Sequence, residues 1–346
     1  MEKPTEKKPR RQRYSGRNPK GFAEKYKEHQ PERYREDVAK IIENGKTPAG
    51  MHRPIMVAEI LEFLELKPGD DVVDCTLGYG GHATELSKGV QPGGRLLGVD
   101  SDPIEFPKVE LRLRSMGLPE SALVLRRLNF AGLAGFLSVE APNGVNAFLA
   151  DLGASSMQLD DPRRGFSFKL DGPLDMRMNP SRGLSASQLL STLSVAQLSQ
   201  LLAENSDEPK ADRIAQSIVA SCREKAIETT IELAKIVRNR VSELGKEEID
   251  LTVRRVFQSL RIAVNDEFRS LDTFLKQLPS FLKSGGRVAI LSFHSGEDRR
   301  VKAAFKMGLQ EGSYRWISSD FVRPTFEEQR SNTRSSSAKL RFAIRS

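Results

Sequence analysis

The stretch Asp74-Cys-Thr-Leu-Gly78-Tyr-Gly80-Gly81-His82 puts an acid, three glycines and an imidazole within nine residues. Gly78-x-Gly80-x-x-Ala83 fits the pattern G-x-G-x-x-G/A. There, glycines let the backbone turn tightly and let an anionic group approach main-chain amides. A second acid, Asp100, lies 26 residues beyond Asp74 at the end of the next apolar run. A carboxylate there can accept hydrogen bonds from both hydroxyls of a ribose. Asn129 and Phe130 follow a third apolar run, and Asp151 ends a fourth, leading into Leu-Gly-Ala-Ser155-Ser156-Met-Gln158. The set reads as a nucleoside site with a carboxylate beside the reacting group. Two ligand classes share it: a dinucleotide, whose pyrophosphate needs a helix N-terminus, and S-adenosylmethionine, whose carboxylate suits the same amides. The glycine pattern alone does not separate them.

These residues need elements that bring them together. "DVVDCT" is a short buried strand, and a helix is expected over roughly 82–88. "GRLLGVDSD", "SALVLRRLNF" and "VNAFLADLG" read as three further strands with helical segments between them, which argues for an open parallel α/β sheet. Before it, "PIMVAEILEFLEL" spaces Ile55, Ile60, Leu61, Leu64 and Leu66 as a helix does. From Asp160 to about Leu260 no strand pattern is visible. Ser194-x-x-Gln197 and Thr229-x-x-Glu232 match capping boxes, so this stretch reads as a helical insertion. "SLRIAVNDEFRSLDTFLKQLPSFL" follows as one long amphipathic helix, then "GGRVAILSFHS" as a fifth strand, "EDRRVKAAFKM" as a helix, and "SAKLRFAIR" as an antiparallel last strand. The expected organisation is a basic extension over 1–46, the sheet's first part over 47–159, a helical insertion over 160–258, and the sheet's second part over 259–346.

Bulk properties narrow the class. The chain has 346 residues, 38% hydrophobic and 29% charged, with no apolar run of spanning length and no signal-peptide pattern. Cys75 and Cys222 stand alone, which fits a reducing cytoplasm and excludes a disulfide scaffold. His29, His52, His82 and His294 are scattered and give no metal-ligand spacing, so no metal is expected. Net charge is +8, and residues 1–20 carry eight Lys/Arg against two Glu. Such a tail suits either solvation or contact with a nucleic-acid backbone.

The longer motifs resemble one family. "HRPIMVAE", "DCTLGYGGHATEL", "GRLLGVDSDP", "DLGASSMQLDDPRRGFSFKLDGPLDMRMNP", "FQSLRIAVNDE", "GGRVAILSFHSGEDRRVK" and "SAKLR" make residues 50–346 similar to the MraW (RsmH) family of bacterial ribosomal RNA small-subunit methyltransferases H. The resemblance implies a class I S-adenosylmethionine-dependent methyltransferase: a Rossmann-like, mostly parallel sheet with an antiparallel last strand and an inserted all-helical domain. It implies methylation of N4 of cytidine 1402 in 16S rRNA, in the P-site decoding region, within the small ribosomal subunit. By motif position the cofactor contacts are Gly80, Gly81, His82, Asp100, Phe130, Asp151 and Gln158. The chain departs from the family pattern at Met157, Leu251, Gly296 and Ser336, and at "SDEP" over 206–209.

Cytosine N4 is a weak nucleophile, because its lone pair is delocalised into the ring. It needs alignment with the methyl group and an acceptor for its N–H. Many amino-methyltransferases supply these from an (Asp/Asn/Ser)-Pro-Pro-aromatic motif, which is absent here. Asp151, Ser155 and Ser156 occupy that place and are the catalytic candidates, with the serines equally suited to capping a turn. Phe166 and Phe168 suit either stacking on an extruded base or packing. His294 suits RNA binding, proton acceptance or bonding to neighbouring backbone, and Arg163, Arg164, Arg177, Arg254, Arg255, Arg299 and Arg300 suit either an RNA channel or structural pairing. Two rival functions follow from the same residues: a dinucleotide-dependent oxidoreductase, and a non-catalytic RNA-binding factor that keeps the fold.

Overall fold

Alternation of buried side chains along short apolar strands builds the centre of this protein. In the computed structural model, which describes residues 54–346, Val72 and Val73 point to opposite faces of one sheet and both are fully buried. The basic extension and the first sequence-expected residues of the sheet domain, up to 53, lie outside the described residues.

The chain begins with α1 (Val57–Leu64), β1 (Asp71–Asp74), α2 (Gly81–Val90), β2 (Arg95–Asp100), α3 (Phe106–Arg114), β3 (Leu123–Arg127), α4 (Leu133–Glu140) and β4 (Val145–Asp151). Next come α5 (Ser156–Asp160), α6 (Ala186–Thr192), α7 (Val195–Ser206), α8 (Ala211–Glu224), α9 (Thr230–Arg240), α10 (Lys246–Asn265) and α11 (Glu267–Phe281). The sheet resumes with β5 (Leu282–Ser292), α12 (Ser295–Gln310), β6 (Tyr314–Ile317), α13 (Phe326–Ser331) and β7 (Lys339–Arg345). Seven strands lie in the order β3-β2-β1-β4-β5-β7-β6. β1 to β5 are parallel neighbours, and β7 runs antiparallel to both β5 and β6. The antiparallel last strand agrees with the sequence, whereas β6, a four-residue strand with two exposed residues, was not expected from it.

Each face of the sheet has its own core. Val73, Val99, Phe148 and Ala150 pack with Phe136, Phe274, Leu278 and Phe305 on one side. Val72, Leu96, Ala147 and Leu149 pack with Ile60, Leu86, Val109 and Leu113 on the other. A third cluster, including Leu198, Leu202, Ile214, Ile218, Leu233, Val237, Val256 and Leu260, spans α6 to α10 and the loop before them, which adds Phe166, Leu174 and Met176. The helical stretch thus buries its own apolar stripes, as amphipathic helices must. The 258/259 boundary falls inside α10.

The expected single helix over "SLRIAVNDEFRSLDTFLKQLPSFL" is broken. Asp266 adopts φ +50 between α10 and α11. Asn265 explains the break. Its amide nitrogen donates to the Met176 and Arg261 carbonyls, and its oxygen accepts from the Met178 amide. The helix end is recruited to hold a loop 87 residues away in sequence. Of the two expected capping boxes, Ser194–Gln197 is complete. At Thr229 only half forms, since Glu232 accepts from the Glu228 amide instead.

Candidate functional site

In open α/β sheets, ligands lie beyond the carboxyl ends of the strands where strand order reverses. Here that point is between β1 and β4, and Asp74 and Asp151 end those two strands. The main-chain amide of Asp151 donates to Thr76 Oγ1 at 2.7 Å, which ties the two strand ends together.

The glycine loop occupies the crevice beside them. Gly80 has φ +77, and a Cβ there would lie 2.6 Å from Val109 Cγ2, so only glycine lets this turn pack on α3. No side chain caps α2, whose first-turn amides are therefore available to an anion. Asp100 fixes the loop from below: its Oδ2 accepts from the Gly78 amide at 2.7 Å and its Oδ1 from the Asp102 amide at 2.9 Å. Burial raises the Asp100 carboxyl, while these amide bonds oppose the shift.

Three titratable side chains cluster at the strand ends. Burial pushes Asp74 up to about 6 and Asp151 up to about 7, the latter with help from the charge of Glu297. Asp74 Oδ2 and Asp151 Oδ1 are buried without a hydrogen-bond partner. Burial pulls His82 down. His82 Nε2 lies 2.9 Å from the Ile55 carbonyl and its Nδ1 lies 3.6 Å from Asp151 Oδ2. An uncapped helix start, a ribose-ready carboxylate and an orphaned buried oxygen beside the loop fit S-adenosylmethionine, whose amino and sulfonium groups are cationic. Phe130 opens the turn after β3 and packs edge-on against Phe274 at 5.5 Å.

Other expected residues have partners within the protein. Ser155 Oγ caps α5 by accepting from the Gln158 amide, and Gln158 Oε1 accepts from the Ser155 amide. Gln158 Nε2 donates to Asp102 Oδ2 at 2.7 Å, so its side chain holds protein groups at both ends. Ser156 is the first residue of α5 and is half-buried. Arg164 is buried, pairs with Asp102 at 2.9 Å and donates to the Arg177 and Met178 carbonyls. It locks the loop and lines no channel. Arg163 pairs with Asp161, Arg177 with Asp175, Arg255 with Glu208, Arg299 with Asp207 and Arg300 with Asp272, while Arg254 is exposed. Phe166 and Phe168 pack in the helical core, Phe168 edge-on to Phe257, so the packing role is the one the structure places.

His294 caps α12 and lies 3.1 Å from Glu297 Oε1. Although burial raises it, the Glu297 carboxyl is held below its usual range by His294, Arg261 and the Phe293 amide. Glu267, His294 and Glu297 are close enough to share a cation. Arg261 donates to both oxygens of Glu267, so a guanidinium already neutralises that acid. Sequence reasoning does not single out Thr76, Asp102, Arg261 or Glu297; the partners of Thr76 and Asp102 lie more than fifty residues away, whereas Arg261 and Glu297 pair with Glu267 and His294 close by.

A family model described as the MraW methylase family matches residues 49–346. The chain belongs to this family. It is 48% identical over its full length to the ribosomal RNA small subunit methyltransferase H 2 of Alkaliphilus metalliredigens, also covered completely. It is 48% identical to the ribosomal RNA small subunit methyltransferase H 1 of Lachnoclostridium phytofermentans, over 97% of this chain and 93% of that one. Among solved structures, a SAM-dependent O-methyltransferase from Thermotoga maritima aligns over 85% of this chain and 67% of its own, at 12% identity and a TM-score of 0.40. This MraW-family chain is an S-adenosylmethionine-dependent methyltransferase with a class I fold. Among the described residues no helix is long and apolar enough to cross a membrane.

Proposed function

We propose that this chain methylates N4 of cytidine 1402 in 16S rRNA, in the P-site decoding region of the small ribosomal subunit, in the cytoplasm. The names of its relatives support ribosomal RNA as the substrate, and the long motif from Asp151 to Pro180 supports the site. One observation carries the chemistry. Asp151 Oδ1 is a buried carboxylate oxygen with no partner, at the strand end where amino-methyltransferases hold the target amine.

In this reading the α2 amides of Gly81 and His82 hold the cofactor's carboxylate, Asp100 its ribose and Phe130 its adenine. When bound, the cofactor supplies an electrophilic methyl group whose leaving group is a neutral thioether. Asp151 accepts a hydrogen bond from the N4 amine, keeping electron density on nitrogen as the new bond forms. Ser155, through its cap, and Thr76, through the Asp151 amide, hold that carboxylate's loop in place. The helical segment 160–258 and the basic extension 1–46 offer surfaces for the RNA.

Mass spectrometry of 16S rRNA from cells with and without the gene tests the assignment. Loss of one methyl group from N4 of cytidine 1402 is expected in the deletion strain. An unchanged nucleotide there, with a methyl lost elsewhere, would overturn the position. The same assay on cells expressing Asp151→Asn alone should resemble the deletion.

A further inference from the structure

The Ile55 carbonyl can only accept a hydrogen bond, so its 2.9 Å contact places the neutral imidazole's proton on His82 Nε2. Nδ1 is then a bare acceptor, and it faces Asp151 Oδ2 at 3.6 Å. With Asp151 ionised, two lone-pair-bearing atoms would oppose each other at 3.6 Å. A proton on either atom removes the conflict. Among the described residues, the acids that act on the pair add to its hold on that proton. Asp74, at the end of β1, and Glu328, on α13, act on His82, and Glu297, on α12, acts on Asp151. The nearby cation, Arg261, is paired with Glu267.

We propose that Asp151 and His82 form a single proton site whose occupancy opposes the charge of the cofactor. In the free protein the pair is partly protonated at neutral pH. Binding of the sulfonium form of the cofactor, which is positive beside Asp151, drives the proton out. The thioether product lacks that charge and lets it return. Binding rests only on the cofactor, and the turnover step rests in addition on the amine reading above. There the S–C bond breaks with its electron pair going to sulfur, and the N–C bond forms from the amine lone pair. The positive charge then leaves nitrogen as a proton. The site loses one charge at sulfur and gains one proton, which the emptied pair takes up. His82 is a positioning residue in this scheme, because it acts through Asp151.

The experiment is calorimetry on the full chain at pH 7, in phosphate and in Tris buffer. These buffers differ in ionisation enthalpy, so the proton count of binding can be read directly. S-adenosylmethionine and S-adenosylhomocysteine are the two ligands. The first should release roughly half a proton, as expected for a group that is half protonated at that pH, and the second clearly less. Below pH 7 the preference for S-adenosylmethionine should fall by up to about tenfold per pH unit. Asp151→Asn should abolish the difference between ligands. His82→Gln keeps a donor for the Ile55 carbonyl but has no second ring nitrogen, and should at least halve the difference. Equal proton counts for the two ligands in the unaltered protein would overturn the proposal without any variant having to fold. A difference that survives Asp151→Asn, or that His82→Gln leaves undiminished, would overturn the pair. No RNA is present, so these outcomes are independent of which base is methylated.

Discussion

Asp100→Ala tests whether the carboxylate at the end of β2 is the ribose anchor. Its two oxygens already accept amide bonds from Gly78 and Asp102 at 2.7 and 2.9 Å, and each oxygen keeps a lone pair for a ribose hydroxyl. A hydrogen bond to a charged group contributes about 1.5–3 kcal/mol. Losing the ribose contact should therefore weaken S-adenosylmethionine by roughly 10- to 150-fold. Losing the two amide contacts should also lower the stability of the free protein, since the Gly78 amide is left without its acceptor. The effect on S-adenosylhomocysteine should be of the same size, because the ribose is shared and the sulfur charge acts beside Asp151. Titration calorimetry with both ligands, together with thermal unfolding of the free protein, gives all three quantities. Unchanged affinity in a folded variant would refute the ribose assignment. A selective loss for one ligand would show that Asp100 acts through the reacting end.

Three further outcomes follow. The folded state raises Asp74 and Asp151 above their ordinary range, so the native protein binds more protons than the unfolded chain. Their contribution is full below about pH 4 and is lost as pH rises through about 6 and 7. Asp74→Asn should accordingly stabilise the free protein by about 1–3 kcal/mol at pH 8 and by little at pH 4, measured by denaturant unfolding at both pH values; equal effects at the two would contradict it. Gly296→Ala places a Cβ 2.5 Å from Phe268 Cζ, and the Phe268 ring is sandwiched by the Arg300 guanidinium at 3.6 Å. A cost of about 1–3 kcal/mol is expected, largely recovered when Phe268→Leu is added, by a double-mutant cycle in urea. Deleting residues 1–20 should make the log–log salt slope of RNA binding shallower by roughly 3 if about four cations engage phosphates, with cofactor affinity unchanged. Identical slopes would mean the tail is only solvated.

Much of the scaffold was legible because it is written in local patterns. β1 to β4 are short apolar runs, each with a chemically distinctive residue at or just past its end: Asp74, Asp100, Phe130 and Asp151. Their placement on one edge then follows from parallel topology. The roles of polar residues were less legible. Gln158 and Arg164 sit in motifs that point toward a ligand, yet both are bound to Asp102, more than fifty residues away in sequence. Sequence shows which groups can form hydrogen bonds and not which partners they already have. The break at Asp266 was hidden for the same reason: nothing near Asn265 reveals that it must hold Met176 and Met178. Phe168 faced two equally apolar fates, and only the position of Phe257 decided between them.

The break between the two halves of the sheet has a consequence for how the chain assembles. Roughly 130 residues separate the end of β4 from the start of β5, which pair directly. Joining two strand ends across an unstructured chain of that length is slow, because distant contacts must wait for closure. α7 to α10 share a core of their own, built from neighbours along the chain. Helices of that kind form locally and early, and they draw Asp160 and the start of α11 toward each other before the strands meet. The effective span falls to a few tens of residues. At about 0.6 kcal/mol for each halving, that saves on the order of 1 kcal/mol of closure entropy. The inserted helices thus act as a splint for the sheet, so weakening their core should slow formation of the β4–β5 pair.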